Sequence, residues 1–379
     1  MNIIYRKSLL SILALILCSV VFANNDNETK VTKTIKHGDI LPKNGFVEVI
    51  NKYGQVVVTN SDSDSVTVKI EVIAYGKDHL SANKIMDRVD FDFDLTGQFL
   101  TIETVLDRKS GTFQEVWNSI GDYSKSLLSK NKLQVNYTIQ VPEHATLSIT
   151  NKFGDLYIAE RNKKTEIDLA HGNLRANNFN GPAKIAVSYG DTRIKYMKSG
   201  DLILKGSDTD IKELGVIDMS SSSSTINIGK ANELDIDSRS DRSIEIGEVK
   251  RISGKMSFSN LEVEEALKSV DLQMSYSDIE IEHMPFSFSL LRISGRTSDI
   301  NVSLDSQSFV EIDIQAEEND LHLPLSNLNK EYIDEKKGIV RVTGTLGTKK
   351  NYKGNINIDA EGGSVTLNLQ APSSSSVSN

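Results

Sequence analysis

Six histidines, His37, His79, His144, His171, His283 and His322, are the first residues to weigh as metal ligands or general bases. They stand far apart, with no His-x-x-x-His spacing and no His-Glu pair, so a zinc site would need them to meet through folding alone. No Gly-x-Ser-x-Gly elbow occurs, nor a glycine-rich phosphate loop followed by Lys-Ser/Thr, so serine hydrolases and nucleotide enzymes have no support. Asn60, Asp62, Asp64 and Glu71 fall at positions 1, 3, 5 and 12 of a calcium-loop template. The sixth position is Ser65, where the sharp turn needs glycine, and Val66 onward reads as a strand. An ordinary Asx-rich hairpin turn is expected there.

Carboxylates and aromatic residues recur with more order. Asp155, Asp191, Asp208 and Asp278 share one phase of a repeat, and stacked turns would set them about 5 Å apart. Like charges at that spacing must be solvated, hydrogen-bonded, interrupted or bridged by cations; Asn173, Thr225, Ser243 and Asn260 do interrupt them. Turn chemistry, with Asp and Asn accepting backbone N–H bonds, explains the pattern without calcium, and the glycine–aspartate nonapeptide of calcium rolls is absent. A polysaccharide lyase or glycoside hydrolase would need paired carboxylates in a cleft. Asp210, Glu213, Asp241, Glu262 and Glu264 supply carboxylates, but evenly spaced repeats leave no long loops to wall a cleft. Tyr189, Phe258 and Tyr276 lie in the same turns as the anchors. They read either as an aromatic line for stacking on sugars or as a ladder packed for stability. No catalytic, cofactor-binding or metal-ligating residue is assigned, and no cofactor is called for.

These side chains are positioned by an internal repeat. Phe153-Gly154-Asp155-Leu156-Tyr157-Ile158, Tyr189-Gly190-Asp191-Thr192-Arg193-Ile194 and Tyr276-Ser277-Asp278-Ile279-Glu280-Ile281 are one phrase repeated. Anchors at Asp155, Asn173, Asp191, Asp208, Thr225, Ser243, Asn260, Asp278, Asp299 and Asp320 are spaced 17–18 residues apart, widening to 21 at the end. Apolar residues alternate with polar ones inside each repeat, as in Leu261, Val263, Val270, Leu272 and Met274, so each turn carries two period-2 strands with inward apolar faces. The fold class is therefore all-β, a β-solenoid (β-helix) over 143–370 with 17–18-residue rungs. It is preceded by a β-rich N-terminal region, 24–142. The turn Asn51-Lys52-Tyr53-Gly54 recurs as Asn151-Lys152-Phe153-Gly154, which points to a shared starting unit. Ser81 to Arg88 reads as a short helix. Residues 112–130 read as the one long helix, with a Thr112/Glu115 capping box and an apolar face including Val116, Trp117 and Ile120. Strands around Ile339, Ile356 and Val365 are expected to close the solenoid, and 371–379 to be a disordered tail.

Residues 1–23 read as a signal peptide: Arg6-Lys7, an apolar run from Ser8 to Phe22, and Ala23 before a polar stretch. The only cysteine, Cys18, lies inside it, so the remaining chain offers no disulfide, thiolate metal site or cysteine nucleophile. No later run reaches the about 20 apolar residues of a membrane span. Among 379 residues, 38% are hydrophobic and 25% charged, enough for a substantial core, and the formal charge of −9 argues against nucleic acid.

The Asn-Lys-Tyr-Gly and Asn-Lys-Phe-Gly turns, the Ser-Tyr-Ser-Asp-Ile-Glu-Ile rung and the closing Gly363-Ser364-Val365-Thr366-Leu367 resemble the bacterial "putative adhesin" β-solenoid family. That is a group of uncharacterised exported domains common in Bacteroidetes, and the resemblance runs from about residue 40 to 370. It implies the fold and export, and brings no catalytic residues with it. The reading is a non-catalytic envelope or cell-surface protein in the periplasm or outside the cell. It would bind a glycan or protein partner through a repetitive face, with no nucleic acid and no membrane span after processing. A periplasmic structural or sensory protein and a polysaccharide-active β-helix enzyme are the alternatives.

Overall fold

The computed structural model describes residues 28–108, 132–336, 338–347 and 354–370. The signal sequence expected at 1–23, the helix expected at 112–130 and the tail 371–379 lie outside them. The chain divides into two compact units, residues up to Lys164 with Leu169–Gly172, and Thr165–Asp168 with Asn173 onward.

The first unit holds β1 (Thr29–Ile40), β2 (Phe46–Lys52), β3 (Val56–Ser61), β4 (Ser65–Gly76), α1 (His79–Met86), β5 (Val89–Thr96), β6 (Phe99–Leu106), β7 (Leu133–Pro142), β8 (Thr146–Lys152) and β9 (Leu156–Ile158). Strand β2 lies between β6 and β8 and is parallel to both; β3 lies between β7 and β9 in the same way. Asn51 and Lys52 are in register with Asn151 and Lys152. The motif recurring 100 residues apart is thus a single step along a stack: the chain leaves after one turn, builds β4 to β7, and returns beside its starting point. Helix α1 sits where a short helix is expected, with the Asp78 carboxylate accepting the Ser81 N–H at 2.7 Å. The hairpin expected at 60–71 is not one. A turn is present, but β7 pairs with both β3 and β4 and lies between them.

Stacking of the two motif turns leaves no room at their corners. A Cβ on Gly154 would stand 2.0 Å from the Gly54 carbonyl oxygen, and one on Gly172 2.0 Å from that of Gly154. The buried Asn51 donates to Asn151 Oδ1 at 3.1 Å, and Asn151 donates to the Gly154 and Gly54 carbonyls at 2.8 and 3.1 Å. Arg161, 1% exposed, clamps the base of the excursion. Its guanidinium donates to Asn60 Oδ1 at 3.2 Å and to the carbonyl of Ala145 at 2.7 Å, and burial brings its pKa down to about 10.

Strand β10 (Thr165–Ala170) spans the division, and the second unit continues with β11 (Leu174–Ser188), β12 (Thr192–Lys205), β13 (Asp208–Ser222), β14 (Thr225–Arg239), β15 (Ser243–Ser257) and β16 (Asn260–Ser275). Each is one long bent strand forming a whole turn, parallel to the next and offset by 17 or 18 residues. The solenoid expected from the repeat is present. In-register alternation builds columns: Ile226, Ile244, Leu261, Ile279, Ile300 and Val365 stack inward, each at most 2% exposed. Burying each such side chain is worth about 1.5–3 kcal/mol.

The later turns split into shorter strands: β17 (Asp278–Met284), β18 (Leu290–Arg296), β19 (Ile300–Asp305), β20 (Val310–Glu317), β21 (Leu321–His322), β22 (Leu328–Lys336), β23 (Ile339–Leu346), β24 (Gly354–Glu361) and β25 (Val365–Gln370). Here the order along the stack departs from the order along the chain. Strand β24 is parallel to both β18 and β20 and lies between them; β25 lies between β19 and β21. After β19 the chain skips one turn, lays down β20 and β21, adds the antiparallel strands β23 and β22 beside β20, and returns to fill the skipped turn. The strands around Ile356 and Val365 therefore do not close the solenoid. They are interior, with Ile356 and Val365 fully buried, and the β22–β23 hairpin occupies the sheet end.

Two outcomes follow. Gly154→Ala should cost about 1–3 kcal/mol or prevent folding, read by urea denaturation, because the carbonyl it meets belongs to a paired backbone. Burial, with Lys152 beside it, lowers the Lys52 pKa to about 8. Its proton leaves the folded chain first, so stability should rise from pH 8 to 10.5. A Lys52→Met variant should lack that site's share of the rise.

Candidate binding surface

The same corner of eight turns in the second unit carries a residue in the left-handed region: Tyr189, Gly206, Ser223, Ser240, Phe258, Tyr276, Thr297 and Gly362, with φ between 50° and 75°. That conformation lets the chain reverse within two residues, and non-glycine side chains occupy it at a cost of about 1–3 kcal/mol. From Gly206 to Thr297 the next residue is small and buried, and these positions form a ladder of hydroxyls, with Gly190 and Gly363 beyond its two ends. Backbone N–H groups of Ser207, Asp241, Ser259 and Ser277 donate to Oγ of Ser224, Ser259, Ser277 and Ser298 at 3.1–3.2 Å. Asp241 replaces serine once. Its buried carboxylate accepts from the Ser221 and Ser238 hydroxyls at 2.5 and 2.6 Å and from the Ser224 N–H at 2.8 Å.

The exposed left-handed residues form a column outside this ladder. Phe258 and Tyr276 stack with centroids 5.1 Å apart and planes 2° from parallel, yet remain 58% and 53% exposed. The expected aromatic line is broken: Gly206, Ser223 and Ser240 separate Tyr189 from this pair. Beyond Tyr276 the column continues as Thr297 and Gly362, which are too small to cover its ring. The pair is therefore a ridge with a ring face open at each end.

A depression lies on each side of the ridge. Residues leading into the corner, Ser257, Ser275, Arg296 and Glu361, border a groove of about 610 Å³ that also takes in Lys255, Gln273, Ser294 and Asp359, with Ile339 of β23 on its wall. Two cations face two carboxylates there, and Arg296 reaches Glu361 at 3.4 Å. Residues leaving the corner border a depression of about 330 Å³ lined by Glu245, Glu262, Glu280, Asp278, Asp299 and Asn301. Burial and the carboxylates of Glu245, Glu282, Glu280 and Glu264 raise the Glu262 carboxyl above its ordinary value.

The structure disperses the other candidates. Among the described residues, no group of three or more His, Cys, Asp or Glu could hold a metal ion. His37 contacts Asp39 at 2.5 Å and stacks on Phe93, while His144 lies 3.7 Å from Asp64. Asn60 of the calcium template is engaged by Arg161. Anchor side chains do accept backbone N–H bonds, but from the next turn: Asn173 from Asp191, Asp278 from Asp299, and Asp299 from Ser364. Asp210 and Glu262 occupy one column three turns apart, and Asp241 is locked in the corner. The groove residues were not singled out by sequence reasoning. Asp359 and Glu361 reach it only through the inserted strand β24, whose place in the stack no local pattern gives.

No family model matches the chain, and no curated protein matches it. Solved structures do. A "putative adhesin" from Parabacteroides distasonis is 13% identical, with 71% of this chain and 97% of that one covered and a TM-score of 0.34. A "putative lipid binding protein" from the same species is 12% identical, covering 71% and 96%, with a TM-score of 0.33. A "putative cell adhesion protein" from Clostridium sporogenes is 12% identical, covering 89% and 100%, with a TM-score of 0.18. The adhesin names match the family that the repeat turns resemble.

Asp241→Ala should destabilise the second unit by about 3 kcal/mol or more, measured by thermal and urea unfolding, since two hydroxyls and one N–H lose their buried acceptor. Asp241→Asn should cost less.

Proposed function

We propose that this chain is a non-catalytic, exported envelope or cell-surface protein, adhesin-like, which engages a glycan or protein partner through the corner ridge of its solenoid. The observation that carries this is the Phe258–Tyr276 pair. Neighbouring turns fill the same strained position with serine, threonine or glycine, whereas here two large rings stand more than half exposed between two depressions. Ring stacking offsets part of the backbone cost, about 0.5–1.5 kcal/mol, and exposed aromatic surface beside polar grooves is the composition of binding sites.

Catalysis is the weaker reading. Asp359 and Glu361 alternate on one strand face in the larger groove, but both are exposed. A glycosidase acid needs burial to keep its proton at neutral pH. The signal sequence at 1–23 supports export, and no helix among the described residues is long and apolar enough to cross a membrane.

Protease shaving of intact cells, followed by fractionation and immunoblotting, tests the location. Loss of the protein on shaving is the expected outcome. Survival until the outer membrane is opened would overturn the surface reading in favour of a periplasmic structural or sensory role.

A further inference from the structure

We infer that the larger groove, together with the open ring face of Tyr276, is a binding site for a neutral oligosaccharide. This deepens the reading of the ridge as the binding surface and rests on it. Thr297 and Gly362 continue the corner column beyond Tyr276, and the residues just before them, Arg296 and Glu361, line the groove, as does Ser275 just before Tyr276 itself. Tyr276 thus stands next to the groove's rim. A flat apolar face beside hydrogen-bonding side chains suits a pyranose, whose C–H groups pack on the ring while its hydroxyls point sideways.

The polar set selects the class of sugar. Lys255 and Arg296 balance Asp359 and Glu361, so no net charge favours a uronate, sulfate or phosphate. Gln273 and Ser294 add uncharged donors and acceptors. Arg296 and Glu361 are 67% and 79% exposed, with a long contact of 3.4 Å between them, so they can turn from one another onto vicinal hydroxyls at small cost. The smaller depression is lined by five carboxylates, Glu245, Glu262, Glu280, Asp278 and Asp299, with no lysine or arginine among its lining residues to balance them. In the larger groove, in-register columns from Lys255 through Gln273 and Ser294 to Asp359 repeat along the stack. An extended chain running with the stack would meet polar groups at each turn, a geometry that favours an oligosaccharide over a single sugar.

The test is calorimetric titration of the full chain with linear neutral hexasaccharides (gluco-, manno- and xylo-configured), with oligogalacturonate as the charged comparator. At least one neutral hexasaccharide should bind saturably, more tightly than oligogalacturonate and with little dependence on salt. Tyr276→Ser installs the residue that Ser223 and Ser240 already carry at this corner position, so folding should survive, as checked by thermal melting. It should weaken binding roughly tenfold, Tyr276→Phe should retain it, and Tyr189→Ser, outside the groove, should leave it unchanged. Absence of binding by every neutral hexasaccharide at millimolar concentration would overturn the inference. So would affinity indifferent to Tyr276→Ser, or tighter binding of oligogalacturonate that salt abolishes. These readouts use purified protein, so failure here in a chain that shaving removes leaves the surface reading intact. Survival on shaving together with hexasaccharide binding overturns the surface reading alone.

Discussion

Parallel hydrogen bonding between successive turns is the constraint on which the rest of the second unit depends. Outside the shifts at Phe179/Pro182, Val249/Arg251 and Ile281/Met284 it places residues directly beside their counterparts one turn away, so each such position becomes a column with a single chemical task. Inward columns must be apolar. Corner columns must reverse the chain and satisfy its buried N–H groups, which the serine hydroxyls and Asp241 do. Only outward columns are free to vary, and both the Phe258–Tyr276 ridge and the charged depressions lie there.

The first unit meets the same demand differently. Its corners are glycines pressed onto carbonyl oxygens of the adjacent turn, and the polar ladder is asparagine, Asn51 on Asn151. An asparagine amide donates and accepts at once, so it can bridge turns and cap its own corner. A serine corner carries a Cβ, and it is beside the serine corners Ser259 and Ser277 that the Phe258–Tyr276 ridge stands.

Much of this was legible in the sequence because columns leave a periodic trace. The anchors at 17–18-residue intervals and the alternation of Leu261, Val263 and their counterparts specify rung length, strand phase and inward face. What periodicity cannot report is the order in which turns are stacked. Strand β24 has the same alternation as any other, and nothing near Ile356 says that its partners are Leu291 and Ile312. The excursion between Ser61 and Thr146 hid in the same way, although the repeated Asn-Lys-aromatic-Gly turn marked its two ends. The aromatic residues were legible by type. The groove beside the Phe258–Tyr276 pair depended on that hidden order, because Asp359 and Glu361 come to it with the inserted strand.

The inserted turn has a consequence for how the molecule is made. Chains are synthesised from the N-terminus, so β20 to β23 exist before β24 and β25. Until those last strands arrive, β18 and β20 each present an unpaired edge across an empty slot. Synthesis of β24 and β25 thus acts as the gate for closing that part of the solenoid. A prematurely terminated chain would carry its defect in the middle of the sheet, as paired-strand edges open to proteases and to other unfinished copies.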